Sequence, residues 1–143
     1  MDITGKKISI IGAVRSGVGA AKLAKKLGAV PFVSDSGDKE KLYDSIFTLN
    51  SQGIAYECGA HSETIYDCEI MITSPGVPTD SAVLQNALAK NIRIISEVEF
   101  ASWFCKGEII SITGTNGKTT TTALMNHLLN ESGLKCYSAG NIG

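Results

Sequence analysis

Hydrophobic and polar residues alternate along the chain in two recurring patterns. Short apolar runs that end at glycine, aspartate or proline are typical of buried strands, and apolar residues three or four positions apart are typical of helices. The first pattern predicts strands at residues 7–11, 30–34, 54–57, 69–73, 92–95, 109–113 and 135–138. The second predicts helices at residues 18–27, 39–52, 81–90, 98–104 and 118–132. Because strands and helices alternate, we expect an α/β protein with parallel strands and helices on both faces.

The predicted elements form two units. Residues 1–96 contain their own succession of strands and helices, which predicts a Rossmann-like parallel-sheet domain. Residues 97–106 are interpreted as a connector. Residues 107–143 begin a new strand, glycine-rich loop and helix, which is typical of the start of a P-loop ATPase domain. The sequence ends 24 residues after Thr119, so we expect this second domain to be truncated.

The glycine-rich loop of the second unit has the arrangement of a phosphate-binding loop. Its glycines let backbone N–H groups converge on phosphate oxygens, Lys118 can pair with terminal phosphates, and Thr119 is placed to ligate Mg²⁺. The motif is shorter than the usual form, because Ile112 stands where the first glycine is expected. The alternative is a glycine turn at the start of a helix capped by threonine. The candidate loop residues are Gly114, Thr115, Asn116, Gly117, Lys118, Thr119 and Thr120.

A second glycine-rich turn follows the first strand. Gly12 and Gly17 occupy the first and third glycine positions of a dinucleotide fingerprint, but Val14 occupies the second. The second glycine normally lets the backbone approach a pyrophosphate, so Val14 disfavours bound NAD or FAD. A nucleotide held less closely, by the helix N-terminus, is still compatible with this turn.

Polar residues follow two further strands. Asp35 ends the second strand, where an acidic residue would meet ribose hydroxyls or a base edge. The Ser74-Pro75-Gly76 turn follows the fourth strand and could offer a hydroxyl and backbone amides to phosphate or uracil. Each also has a structural interpretation, Asp35 as a strand terminator and the serine-proline-glycine segment as a rigid turn.

Composition and charge narrow the classes of partner. The net charge of −1 includes no excess of positive charge of the kind that binds nucleic acid or an anionic membrane. No apolar run approaches the roughly 20 residues that span a bilayer, and the start lacks a secretory signal, so we expect a cytoplasmic chain. The four cysteines are widely spaced, and His61 and His127 lack metal-ligand spacing. These spacings predict reduced thiols and no zinc site.

Taken together, these motifs resemble one enzyme family. The Gly-Thr-Asn-Gly-Lys-Thr-Thr loop at residues 114–120 is characteristic of the ATP-dependent Mur ligases and the folylpolyglutamate synthetases. The motifs of the first unit resemble the Mur ligases that add D-glutamate during peptidoglycan synthesis, although Val14 departs from the glycine usual there. These motifs are Gly12-x-x-x-Ser16-Gly17, Ser34-Asp35, Ser74-Pro75-Gly76-Val77 and Ser96-Glu97-Val98-Glu99. Gly140-Asn141-Ile142-Gly143 at the end of the chain fits the same resemblance.

The resemblance implies an ATP- and Mg²⁺-dependent ligase that joins D-glutamate to UDP-N-acetylmuramoyl-L-alanine through an acyl phosphate. It implies that the first unit binds the UDP of the substrate and that residues 114–120 bind ATP, with Lys118 catalytic and Thr119 a metal ligand. The implied UDP-site residues are Val14, Arg15, Ser16, Asp35, Ser36, Ser74, Pro75, Gly76 and Asn141. We expect the 143-residue chain alone to be inactive and to self-associate through its second unit.

Three alternatives stay open at this point. The first is another Mur ligase, specific for alanine or a diamino acid, or a folylpolyglutamate synthetase. The second is a non-catalytic sugar-nucleotide-binding module. The third is an NAD-binding regulator of the Rossmann type, which Val14 disfavours.

Overall fold

The computed structural model describes residues 1–140 and divides the chain into two compact units, Met1–Phe104 and Cys105–Gly143. The boundary between the units lies within the segment that the sequence pattern predicts to be a connector. The described part of the chain holds no helix long and apolar enough to cross a membrane.

The first unit alternates strands and helices from its first element to its last. The strands are β1 (Lys7–Ile11), β2 (Val30–Asp35), β3 (Ala55–Cys58), β4 (Ile70–Thr73) and β5 (Arg93–Ser96). The helices are α1 (Arg15–Lys26), α2 (Tyr43–Ser51), α3 (Ala82–Ala89) and α4 (Glu97–Ser102), with a short 3₁₀ helix at Glu63–Tyr66.

The five strands form one parallel sheet in the order β3-β2-β1-β4-β5. Strand β1 is central: Ile10 is in register with Val33 of β2 and Ile72 of β4. Strands β2 and β3 are added on one side of β1, and β4 and β5 are added on the other side. The direction of strand addition therefore reverses between β1 and β4, and parallel sheets form a crevice at such a switch point. The α/β prediction is confirmed.

Successive residues of β1 are buried on opposite faces of the sheet. Ile10 belongs to a cluster that includes Leu49 of α2 and Phe100 of α4. Ile11 belongs to a second cluster that includes Leu84 of α3. Because both faces are covered by helices, the central strands are almost continuously apolar, which is why periodicity identified them in the sequence.

The second unit contains helix α5 (Lys118–Glu131), but two predicted strands are absent from its described part. Residues 109–113 and 135–138 are not assigned to a sheet. A strand requires a neighbour with which to exchange backbone hydrogen bonds, and neither segment has one among the described residues. The segment 109–113 is apolar, but the prediction that it forms a strand was wrong for the described structure.

Other differences concern element ends. Helix α1 begins at Arg15, three residues before the predicted start, and α2 begins at Tyr43 because residues 38–42 form turns. The 3₁₀ helix was not predicted; the hydroxyl of Ser62 accepts a hydrogen bond from the Thr64 N–H at its start.

Candidate functional site

A cleft of about 410 Å³ lies at the carboxyl ends of the central strands. Loops after β1, β2, β3 and β4 contribute to its walls. The lining residues are Ile11, Gly12, Val14, Ser16, Asp35, Ser36, His61, Ser74, Pro75, Gly76 and Val77. The cleft therefore occupies the position where open parallel sheets usually bind ligands.

Gly12 in the β1–α1 turn and Gly17 in the first turn of α1 allow this segment to pack against the β4 loop. Gly12 has a φ of +103°, and a Cβ atom there would lie 2.7 Å from Ser74 Oγ. A Cβ atom on Gly17 would lie 1.9 Å from the carbonyl oxygen of Gly12. No side chain fits at either position without moving the backbone, so the close packing depends on both glycines.

Helix α1 presents its N-terminus at this turn. Its N-cap is Val14, which is extended (φ −83°, ψ −176°) and provides no side-chain hydrogen bond to the first turn. The N–H groups of that turn are thus left for water or a ligand, and the helix dipole makes the position favourable for an anion. Val14 lines the cleft with 63% of its surface exposed, so its side chain occupies space that a glycine would leave open.

Arg15 lies at the first position of α1 but outside the cleft. It lines a separate cavity of about 300 Å³ between α1 and α2, together with Lys22 and Asp44. The remaining predicted UDP-site residues of the first unit do line the cleft. Asn141 lies outside the described residues.

Asp35 joins the β1 loop to the β2 loop. Its Oδ2 atom accepts a hydrogen bond of 2.6 Å from the N–H of Ala13, and its Oδ1 atom accepts one of 2.7 Å from the N–H of Gly37. The carboxylate thus supports the shape of the cleft wall, in addition to any contact with a ligand. The structural interpretation of Asp35 and the binding interpretation are compatible, because each carboxylate oxygen can accept more than one hydrogen bond.

Ser74 lines the cleft and carries a buried hydroxyl that has no partner among the described residues. The residue is 5% exposed. A buried hydroxyl without a partner costs roughly 1–3 kcal/mol, so such groups in native proteins usually have a specific purpose.

A second polar group near the cleft was not predicted from the sequence. The fully buried Ser34 Oγ lies 2.7 Å from Glu57 Oε1 and 2.6 Å from His61 Nδ1. Burial raises the pKa of Glu57, but hydrogen bonds from Ser62 and Ser34, with the nearby His61, outweigh burial and hold that pKa below its ordinary value of 4.5. The usable signal is that Ser34 and Glu57 are each the second-to-last residue of a strand, and the two strands prove to be neighbours that pair these residues in register.

Glu97 was also not predicted as a site residue, and it contacts Ser16 of the cleft wall. Its carboxylate is buried, with 7% of the residue exposed, and its Oε1 atom accepts a hydrogen bond of 2.9 Å from Ser16 Oγ. Glu97 begins α4, directly after β5, so this bond ties the far side of the sheet to the first turn of α1. The sequence motif contained Glu97 but gave no indication of its partner.

The loop at residues 114–120 begins helix α5. Gly117 is the N-cap with a φ of +77°, and Gly114 has a φ of +151°. The ammonium of Lys118 donates to the carbonyl oxygens of Gly114 (2.6 Å) and Thr115 (3.3 Å) in its own loop. Both contacts are exposed to solvent. The ammonium of Lys118 can therefore exchange these carbonyl oxygens for a more strongly charged acceptor. Within residues 1–140 no group of three acidic, histidine or cysteine side chains could hold a metal ion.

The sheet order, the switch-point cleft and the Gly12–Gly17 turn define the first unit as a Rossmann-like α/β domain. Among solved structures, the chain resembles a murein peptide ligase from Psychrobacter arcticus (TM-score 0.61, 20% identity, covering 96% of this chain and 31% of that one). It also resembles the UDP-N-acetylmuramate-alanine ligase MurC from Thermotoga maritima (TM-score 0.56, 27% identity, 89% and 30%). The first likeness shows the fold alone.

Family models identify the chain more closely. Residues 7–83 match the MurD N-terminal domain, and residues 112–143 match the Mur ligase middle domain. The chain therefore belongs to the MurD family of Mur ligases, and the resemblance predicted from the motifs is confirmed.

Curated relatives agree with this assignment. The UDP-N-acetylmuramoylalanine–D-glutamate ligase of Chloroherpeton thalassium is 43% identical over 146 residues, covering 99% of this chain and 31% of the relative. The ligase of the same name from Geobacter sp. (strain M21) is 40% identical over 144 residues, covering 100% and 32%. The chain thus spans somewhat under a third of the length of these relatives.

Proposed function

We propose that this chain is the N-terminal part of an ATP-dependent ligase that adds D-glutamate to UDP-N-acetylmuramoyl-L-alanine in peptidoglycan synthesis. The names of the relatives and the two family models support the substrates and the reaction class. In the proposed reaction, the substrate carboxylate is converted to an acyl phosphate by ATP. The amine of D-glutamate then displaces phosphate to form the amide.

The proposal assigns the substrate's UDP to the cleft of the first unit. The observation that carries this assignment is the unpartnered hydroxyl of Ser74, which lies beside Gly12 and Gly17 at the start of α1. A diphosphate placed there would accept hydrogen bonds from that hydroxyl and from the free N–H groups of the first turn, and the helix dipole would stabilise its charge. Ser16 and the Pro75-Gly76 turn complete the proposed diphosphate wall, while Asp35 and Ser36 are assigned to the nucleoside.

The proposal assigns ATP to residues 114–120 of the second unit. The fit rests on Lys118, because its ammonium donors are directed at loop carbonyls that phosphate oxygens would replace as stronger acceptors. Thr119 would supply one hydroxyl ligand to Mg²⁺, with other ligands from phosphate oxygens and water. When bound, ATP and Mg²⁺ supply the phosphoryl group and the positive charge that lets it approach a carboxylate.

The domain layout is part of the same proposal. We assign residues 1–96 to the UDP-substrate domain, 97–106 to a connector whose helix α4 packs on the core of the first unit, and 107–143 to the beginning of the ATP-binding domain. Apolar side chains of the last segment are exposed, including Ile109, Ile110, Leu124 and Leu128, each more than half exposed. Such a surface favours self-association of the isolated chain, and in a longer ligase it would pack against later residues.

Calorimetric titration of the 143-residue chain with UDP tests the assignment of the cleft. Ser74→Ala removes the hydroxyl from the cleft, and we expect it to weaken UDP binding by about 1–3 kcal/mol. Ser81→Ala is the matched control, since Ser81 Oγ is also buried without a partner but lies outside the cleft. Equal effects of the two variants, or stronger binding of NAD than of UDP, would contradict the proposal.

A further inference from the structure

The hydroxyl of Ser34 lies between two side chains but has only one proton to donate. Its Oγ atom is 2.7 Å from Glu57 Oε1 and 2.6 Å from His61 Nδ1, and the residue is fully buried. Both distances are short enough for hydrogen bonds of the O–H and N–H type. Water cannot supply a further donor at this buried oxygen, so the three residues must share the protons they carry.

The carboxylate of Glu57 decides the direction of the chain of hydrogen bonds. Its Oε1 atom also accepts a hydrogen bond of 2.9 Å from the Ser62 N–H, and an ionised carboxylate can only accept. Ser34 therefore donates to Glu57. The oxygen of Ser34 is then an acceptor toward His61, so the imidazole proton lies on Nδ1.

This arrangement leaves the other ring nitrogen of His61 free. In the neutral ring with its proton on Nδ1, Nε2 is a hydrogen-bond acceptor. No residue among 1–140 forms a hydrogen bond with Nε2. His61 is half-buried, lines the cleft together with Asp35 and Ser36, and contacts Ser34, the residue that precedes Asp35.

We propose that His61 is a specificity-determining residue whose Nε2 atom accepts a hydrogen bond from the nucleoside of the bound UDP. The inference rests on the proposed function, which places UDP in this cleft. The donor on the nucleoside is either the N3–H of the uracil ring or a ribose hydroxyl, both of which fit an acceptor of this kind. Ser34 and Glu57 act as positioning residues, since they fix the tautomer of the ring and do not themselves face the ligand.

Two substitutions separate the role of each ring nitrogen. His61→Asn places an amide N–H near the position of Nδ1, where it can still donate to Ser34, but it leaves nothing at Nε2. His61→Gln places an amide oxygen near Nε2 and restores the acceptor. We expect His61→Asn to weaken UDP binding about tenfold and His61→Gln to weaken it less than about threefold, on the scale of one hydrogen bond.

Two further measurements use the unmodified 143-residue chain. A long-range ¹H–¹⁵N correlation spectrum should show the His61 proton on Nδ1. Titration with UDP, N3-methyl-UDP, 2′-deoxy-UDP and 3′-deoxy-UDP should identify one analogue that binds about tenfold more weakly than UDP. The His61→Asn variant has no acceptor at the position of Nε2. It should therefore bind that analogue and UDP equally, since the donor of UDP no longer has a partner to lose.

Several results would overturn the inference. These are a proton on Nε2, unchanged UDP binding by a folded His61→Asn variant, or equal binding of all four nucleotides to the unmodified chain. If UDP bound to the unmodified chain but ignored the His61 substitutions, only this inference would fail. If UDP did not bind to the unmodified chain at all, the proposed function would fail with it.

Discussion

Asp35 combines two roles that a sequence pattern cannot separate. Its two oxygens hold the N–H groups of Ala13 and Gly37, which keeps the β1 and β2 loops together. We expect Asp35→Ala to weaken UMP binding by about 1–3 kcal/mol, because it leaves the buried Ala13 N–H without a partner and disturbs the cleft wall. Thermal unfolding of the same variant should show a lower midpoint.

Asp38→Ala is the control for this prediction. Asp38 lies on the same loop, is exposed, and makes no side-chain hydrogen bond among the described residues. It should leave both UMP affinity and thermal stability close to those of the unmodified chain. NMR shifts on UMP titration that avoid the loops at residues 12–16, 35–37 and 74–77 would show that the ligand binds elsewhere.

Glu57 makes stability depend on pH. Its pKa in the folded chain is lowered from the ordinary value of 4.5, so the folded state favours the ionised carboxylate. The resulting stabilisation is fully present above the unfolded pKa and is lost as the pH falls through the lower, folded pKa. We therefore expect the stability advantage of the unmodified chain over Glu57→Gln to be constant above about pH 5 and to shrink below about pH 4.5.

Urea denaturation followed by the fluorescence of Trp103 measures this difference at each pH. Glu40→Gln is the control, because Glu40 is exposed and its carboxylate forms no hydrogen bond in the described residues. Its difference from the unmodified chain should be small throughout the range. A difference for Glu57→Gln that grew on acidification would mean that the carboxylate is destabilised by folding.

At the scale of elements, helix α1 contains two glycines in opposite environments. A Cβ atom on Gly17 would overlap the carbonyl oxygen of Gly12, whereas a Cβ atom on Gly19 would meet nothing within 4 Å. We expect Gly17→Ala to destabilise the first unit by roughly 3 kcal/mol, the cost of overpacking against backbone. Gly19→Ala should stabilise it by about 0.5–1 kcal/mol, since alanine restricts the unfolded chain and favours helix.

Trp103 fluorescence in urea reports both glycine variants. The pair is matched because the substitution, the helix and the probe are the same. Similar free energies of unfolding for the two variants would show that the Gly12–Gly17 contact does not constrain the turn.

The elements of the first unit could be predicted because burial on both sides of the sheet leaves a clear apolar signal. Segment 109–113 carried the same signal but has no partner strand in the described residues, and a pairing partner is not encoded in local periodicity. The cleft was found through Gly12, Asp35 and Ser74, which follow strands in recognisable motifs. The Ser34–Glu57–His61 and Ser16–Glu97 contacts were missed, because they depend on strand order and register and not on spacing along the chain.

At the scale of the whole molecule, the phosphate loop should affect catalysis without affecting UDP binding. In a full-length ligase carrying this sequence, we expect Lys118→Ala to slow product formation at least about a hundredfold, the scale of one lost electrostatic stabiliser. UDP-substrate affinity should be unchanged, because the proposed UDP site lies in the first unit. The readouts are steady-state ADP release and calorimetric titration with the UDP-substrate.

Lys135→Ala is the control for the loss of a positive charge from the second unit. The Lys135 ammonium lies 5.7 Å from the ring centre of Tyr137, and among the described residues it forms no hydrogen bond with the loop at residues 114–120. This variant should keep its rate within about twofold. Near-normal turnover by Lys118→Ala would remove the role assigned to the loop.

The 143-residue chain by itself should not be a ligase. A phosphate loop provides one wall of an ATP site, and Mg²⁺ usually takes one or two carboxylates in addition to hydroxyl and phosphate oxygens. Between Thr119 and Gly143 the only carboxylate side chain is that of Glu131. Helix α5 separates it from Thr119 by about 18 Å at 1.5 Å per residue, so it cannot reach a metal at the loop.

The assay for this prediction supplies UDP-N-acetylmuramoyl-L-alanine, D-glutamate, ATP and Mg²⁺ and measures ADP and amide product. We expect neither product from the purified chain, while UDP still binds to its first unit. A full-length relative assayed beside it provides the positive control, and the Lys118→Ala chain provides the background from any contaminating ATPase. ADP and amide formed above that background would mean that these 143 residues contain the remaining metal ligands and the amino-acid site, contrary to the assignment of the loop as a single wall.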